Sequence, residues 1–253
     1  MFDLVIDPRA RNSLLQEIRC EFLRLWRSPS FIVPTLLFPG MFYVLFGVIL
    51  TMSKSFQAAH YMMASYCVFG VIAPGLFGFG VTVALEREKG LLALKRALPM
   101  PPANYLLAKL ATAIAFALVI YLELCVLGAT LGGVRLEAAQ WLQLSLVPLL
   151  GVLPFCALGL LVGCLTTGQG APAVGNLIYL PLAFLSGLWI PLFALPKVFQ
   201  MLAPLWPAWH LGQLAQAAIG QPHTGTVFEH VTYLAGFTAI LFYFAQRRLA
   251  RVG

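Results

Sequence analysis

Long apolar runs, broken by short polar gaps, dominate the chain. Each run is long enough, or nearly so, for the roughly 20 apolar residues that a membrane-crossing helix needs. The pattern predicts spans over Phe31–Met52, Tyr61–Leu85, Tyr105–Leu131, Trp141–Leu165, about Pro172–Ile190, and Val227–Ala245. Pro34, Pro39 and Pro74 fall inside the first two, where neighbouring groups in lipid can re-satisfy freed carbonyls. Glycines in the second allow close helix contact.

Before the first run, Asn12–Arg27 reads as an amphipathic helix. Leu14, Ile18, Phe22, Leu25 and Trp26 share one face, and Arg19, Arg24 and Arg27 lie largely elsewhere. Ser13 with Gln16 fits a capping box at its start, and Pro29 ends it. Such a helix suits the plane of a bilayer surface, and packing on other protein is the alternative.

Between the fifth and sixth runs lies Pro191–Thr226, apolar and aromatic but broken by Pro191, Pro196, Pro204, Pro207 and Pro222, with Trp209 and His210 near its middle. Two short helices that dip into the outer interface and return fit this composition. A seventh span would move the C-terminus to the other side.

Composition fits lipid rather than a soluble core: 60% of residues are hydrophobic and only 10% charged, against about 25% charged in ordinary soluble domains. The net charge of +7 is scattered through the gaps, so it argues for orientation and against nucleic acid. Thirteen basic residues fall before the first span, around the second-to-third loop, and in the tail at Arg247, Arg248 and Arg251. Only Lys54, Arg135 and Lys197 fall on the opposite side. This places both termini in the cytoplasm, with the tail as an anchor at anionic headgroups. The whole chain, 1–253, then forms one transmembrane domain: an interfacial helix over 1–30, a six-span bundle over 31–245, and a cytoplasmic tail over 246–253.

No phosphate loop, HExxH or nucleophile elbow is present, and no base accompanies Ser186. Cysteines show no metal spacing, and His210 and His223 lie 13 residues apart across prolines, a poor metal pattern. Glu123 is the acidic residue that falls clearly within a span, so it should face the bundle or a cavity as a substrate-path candidate, or be a hydrogen-bonded structural group. A six-span secondary carrier or channel using Glu123 is the alternative function. The second-to-third loop carries Glu86-Arg87-Glu88-Lys89-Gly90, then a short helix with Leu91, Leu94 and Leu98 at helical spacing, then prolines, with Asn104 as a cap for the next span. Apolar knobs on a compact projection suit another protein's groove.

That loop resembles the cytoplasmic loop of ABC-2 type permeases, the membrane subunits of bacterial ABC exporters. Trp26-Arg27-Ser28-Pro29, the end of the fifth span at Ser186-Gly187-Leu188-Trp189-Ile190-Pro191, and the stretch from Leu195-Pro196 to Pro207-Ala208-Trp209-His210-Leu211 agree with it. The resemblance implies an all-α, multi-pass subunit of the cell inner membrane that exports an amphipathic or lipid-linked substrate. Separate ATPase subunits in the cytoplasm would bind ATP and Mg, this chain holding no cofactor, and a second permease copy would complete a homodimer among membrane lipids. Glu86–Leu98 would be the ATPase-coupling segment. The N-terminal helix would brace it, and Pro191, Pro196, Pro207, Trp209 and His210 would belong to an outer gate.

Overall fold

The computed structural model describes residues 8–50, 56–97 and 100–252, and among these it is helical with no strand. Helix α1 is Pro8–Trp26, beginning four residues before the expected start. Ser13 therefore lies inside the helix, where its hydroxyl donates to Ala10 O rather than capping the terminus. Helix α2, Pro29–Phe42, continues as a π-helical segment over Tyr43–Ile49. The next rod is α3, Phe56–Ala73, a π-helical segment over Pro74–Val81, and α4, Thr82–Glu88. Both π segments lie at or just beyond a proline, whose missing N–H loosens the regular ladder. After a turn at Gly90, which adopts φ +71°, comes the short helix α5, Leu91–Ala97.

Helix α6 is Pro102–Thr130 and α7 is Ala138–Leu165. Pro101 and Pro102 begin α6, since proline is pre-shaped for a first turn, and Asn104 is not its cap. Its amide instead donates to Ala10 O and Ser13 Oγ, tying α6 to α1. Helix α8, Ala171–Leu185, has only 15 residues, fewer than the expected run to Ile190. It stops where Gly187 takes φ +76°. The expected pair of re-entrant helices is a string of smaller pieces: 3-10 turns at Leu192–Ala194 and Ala203–Leu205, helix α9 at Lys197–Leu202, and helix α10 at Pro207–Ala218. Prolines 191, 196 and 207 start these pieces as well as breaking the chain. Helix α11 runs over Val227–Val252.

Among the described residues, five helical stretches are long and apolar enough to cross a membrane: Pro29–Ile49, Ala58–Glu88, Ala103–Thr130, Ala138–Leu165 and Val227–Leu249. Helix α8 rises about 22 Å at 1.5 Å per residue, short of a roughly 30 Å hydrocarbon core. It nonetheless carries the chain along the bundle. Its head follows Gln169, whose N–H donates to Glu88 at the end of α4. Further along, Tyr179 stacks on Phe69, and beyond its end Trp189 packs on Phe69 and Phe42.

The tightest seam joins α7 to the π segment of the second rod. A Cβ at Gly80 would overlap the backbone of Gly159, and one at Gly163 would overlap Gly80. Backbones this close leave no room for side chains, which is how small residues bind helices where lipid supplies no hydrophobic drive. The core beside it contains Phe69, Ile72, Leu76, Phe155 and Leu160, all at most 1% exposed.

Candidate functional site: a buried ion cluster beneath a short projecting helix

The most concentrated chemistry lies where α1, α4, α5 and the head of α6 meet. Lys109, seven residues into α6, is 2% exposed. Its ammonium donates to Glu21 Oε2 at 3.1 Å, Glu86 Oε1 at 3.0 Å and Thr82 Oγ1 at 3.0 Å. Three donors meet three acceptors, so the buried ammonium is fully satisfied. Arg24 pairs with Glu21 at 2.6 Å and reaches Glu86 as well. Lys95 of α5 pairs with Glu17 and, at 3.3 Å, with Glu21. Tyr105 donates its hydroxyl to Glu86 Oε2, and its ring lies 4.6 Å from the Lys95 ammonium and 5.0 Å from that of Lys109.

Three carboxylates thus face three cations. Glu21 and Glu86 are each 3% exposed, a depth that carboxylates tolerate only when paired. Burial by itself would raise the Glu21 carboxyl, but Lys109, Arg24 and Lys95 outweigh it and hold the group below its ordinary value. The cluster joins four elements through charge-assisted bonds.

Sequence-predicted residues divide between the inside and the outside of this site. Glu86 points inward into the cluster. Arg87 donates to Cys164 O at 2.7 Å and to Thr166 O, locking the end of α4 to the end of α7. Glu88, Lys89 and Gly90 are exposed. On α5, Leu91 and Leu94 are 39% and 61% exposed, while Leu92 is buried beneath them. Leu98 lies outside the described residues.

Along α1, Leu25 is buried, and Leu14, Ile18 and Phe22 are half-buried. Phe22 stacks between Trp26 and Phe116 of α6, with centroids 5.7 and 5.4 Å away. The apolar face therefore packs on α6, the protein alternative to a bilayer surface, while Leu15 and Trp26 stay exposed.

The other candidates lie elsewhere. Glu123 is half-buried, its carboxyl seated over Gly40 of α2 beside an apolar recess lined by Ile32, Val33, Leu36 and Leu37. Pro196 is exposed, Pro191 and Trp209 are half-buried, and Pro207 and His210 are buried. His223 is exposed and turned to Gln221 O, so it does not join His210, whose ring meets His230 instead. The Ser186 hydroxyl is buried with no hydrogen-bond partner among the described residues. No group of three metal-ligating side chains occurs among the described residues.

Sequence reasoning missed Glu17 and Glu21 and counted Lys95 and Lys109 only as orienting charges. The signal was present: Glu17, Glu21 and Arg24 recur at i, i+4 and i+7 on one helix face. Lys109 stands inside an apolar run, and the argument that demands a partner for Glu123 demands one for it too.

This architecture has relatives. Residues 14–219 match the model of the family described as ABC-2 type transporter. The chain is also 27% identical over 244 residues to YvfS of Bacillus subtilis (strain 168), a transport permease by its given name, with 94% of this chain and 99% of that protein covered. With a match across most of its length, and with several helices long and apolar enough to cross a membrane, this chain is a multi-pass membrane protein belonging to the ABC-2 type transporter family.

Proposed function

We propose that the chain is the membrane subunit of an ATP-driven exporter, and that α5 is the element a cytoplasmic ATPase pushes. Membership of the family makes it a transport component rather than a catalyst and implies ABC ATPase partners. The observation that carries the reading is the form of α5. Leu91 and Leu94 project from a seven-residue helix whose Lys95 is fastened to Glu17 and Glu21. Apolar side chains held out on an anchored helix suit a groove in another protein. The ion cluster beneath would carry the push into α1, α4 and α6, tilting spans as rigid bodies. Glu88 and Lys89 would flank the docked helix, and Glu86 and Arg87 would act from inside by holding it in place.

A six-pass reading with both termini cytoplasmic is supported by the course of α8, which leaves the Glu88 end of the bundle and leads to Trp189 beside Phe42 and Phe69. Basic residues gathered at the Glu88 end favour the cytoplasm for that end. Outward transport of an amphipathic substrate, a second copy of the chain, and an outer gate in 191–226 belong to the same proposal.

The test is co-purification with an ATPase followed by Leu94→Glu. That side chain is exposed, so the variant should insert and fold normally while substrate-coupled ATP hydrolysis falls at least about tenfold, as for loss of a central apolar anchor worth about 1.4 kcal/mol or more. Unchanged coupling, or transport by the isolated chain under an ion gradient alone, would end the proposal.

A further inference from the structure

A second buried polar site lies far along the chain from the ion cluster. His210 of α10 and His230 near the head of α11 are 8% and 2% exposed. Their Nδ1 atoms are 2.8 Å apart. The other nitrogen of each ring is already committed: His210 Nε2 lies 2.9 Å from Pro204 O, and His230 Nε2 lies 2.7 Å from Thr224 O. A carbonyl oxygen can only accept, so both Nε2 atoms carry hydrogens. Two neutral rings of that tautomer would turn one lone pair against the other across 2.8 Å. One additional proton converts this clash into a charge-assisted N–H···N hydrogen bond.

We propose that His210 and His230 together bind a single proton as an imidazolium–imidazole pair, and that this proton latches α10 to α11. The surroundings suit a cation. His210 stacks on Tyr233 with centroids 3.8 Å apart, and Trp209 packs against both imidazoles at 4.9 and 5.4 Å. Glu229, next to His230, holds Thr226 N–H and lines the same Gly225 turn. Titratable and charged groups on the elements around the pair include His60 and Tyr61 on α3, Glu137 at the head of α7, Lys197 on α9 and His223 in the preceding loop, with Tyr243, Arg247 and Arg248 at the far end of α11. Burial pushes His210 below its ordinary value; the Pro204 carbonyl opposes this and a charge on His230 reinforces it. A charge on His230 therefore resists a second proton on His210.

The latch has something to control. Helices α7, α10 and α11 border an apolar cavity of about 780 Å³, with Leu150, Leu211, Leu214, Val231 and Leu234 among its walls. Loss of the shared proton restores the lone-pair clash and loosens the α10–α11 wall, whichever direction transport takes.

Solid-state NMR of the full chain, ¹⁵N-labelled at histidine in phosphatidylcholine–phosphatidylglycerol vesicles, reads the proton directly. There are four histidines, and His223→Gln and His60→Gln assign their signals by subtraction. Both Nε2 atoms of the pair should be protonated, with one proton shared between the two Nδ1 atoms at the acidic end of a titration from about pH 8 to 5. That shared signal should be lost in His210→Asn and in His230→Asn, and lost from the wild type in one step as pH is raised through that range. Because the wild type carries the decisive spectrum, a variant that fails to fold does not shelter the idea. Two neutral rings at the acidic end, one of them protonated at Nδ1 and bare at Nε2, or two rings titrating independently, would overturn it.

Discussion

Replacing Lys109 by Met removes the buried cation while keeping most of the side chain's volume. Glu21 and Glu86 each lose a hydrogen bond of about 3 Å. Glu21 keeps Arg24 and Lys95, and Glu86 keeps Arg24 and Tyr105. Three carboxylates then face two cations at a site where Glu21 and Glu86 are 3% exposed. Breaking a buried ion pair from one side costs roughly 3–5 kcal/mol, because the remaining charge stays desolvated. At about 2–4 °C per kcal/mol for chains of this size, the thermal midpoint in detergent or nanodiscs should fall by on the order of 10 °C. Adding Glu86→Gln restores charge balance, so the double variant should regain at least half of the loss. That recovery separates electrostatics from packing, since Glu86→Gln returns none of the Lys109 contacts. A single variant within about 1 °C of wild type, or a double variant less stable than the single, would refute the argument.

The cluster also predicts acid sensitivity. Glu21 is held below its ordinary value, so its stabilisation is fully present above the unfolded carboxylate value of about 4.3 and is lost as pH falls through the folded one. Thermal midpoints should drop on acidification below about pH 4, and Glu21→Gln should flatten that slope while lowering stability at neutral pH. Gly159→Val would force α7 away from the Gly75 and Leu76 backbone, costing about 1–3 kcal/mol or more, visible as aggregation on size-exclusion chromatography. A Val at Gly236, where an added Cβ meets nothing, should be tolerated in the same assay. Glu123→Gln keeps the shape over Gly40 and removes the ionisable proton; transport at wild-type rate by an inserted, assembled variant would exclude Glu123 from the substrate path.

Much of the helix plan was legible in the residues because lipid admits few solutions. A run such as Trp141–Leu165 must be helical when every backbone group has to find its partner internally. Boundaries drifted where proline played two parts. Pro101 and Pro102 start α6 and free Asn104 for α1, and Pro191, Pro196 and Pro207 open short helices in a stretch expected to hold only two. The run to Ile190 was overestimated because apolarity continues past Gly187, where the backbone turns left-handed.

By itself the sequence determined that this is an α-helical membrane protein, where its apolar rods lie, which end gathers the positive charge, and where a leucine-bearing projection follows Gly90. Each follows from local composition or from spacing along one helix. Tertiary structure decided what the charges do. Lys109 meets Glu21 across 88 residues, Lys95 meets Glu17 across 78, and Glu86 turns from an expected docking surface to the inside of the cluster. His210 likewise finds His230 rather than His223. Periodicity tells which face a residue shares within its own helix. Which foreign helix covers that face is set by how the rods pack, and the pairing of buried charges follows from that packing.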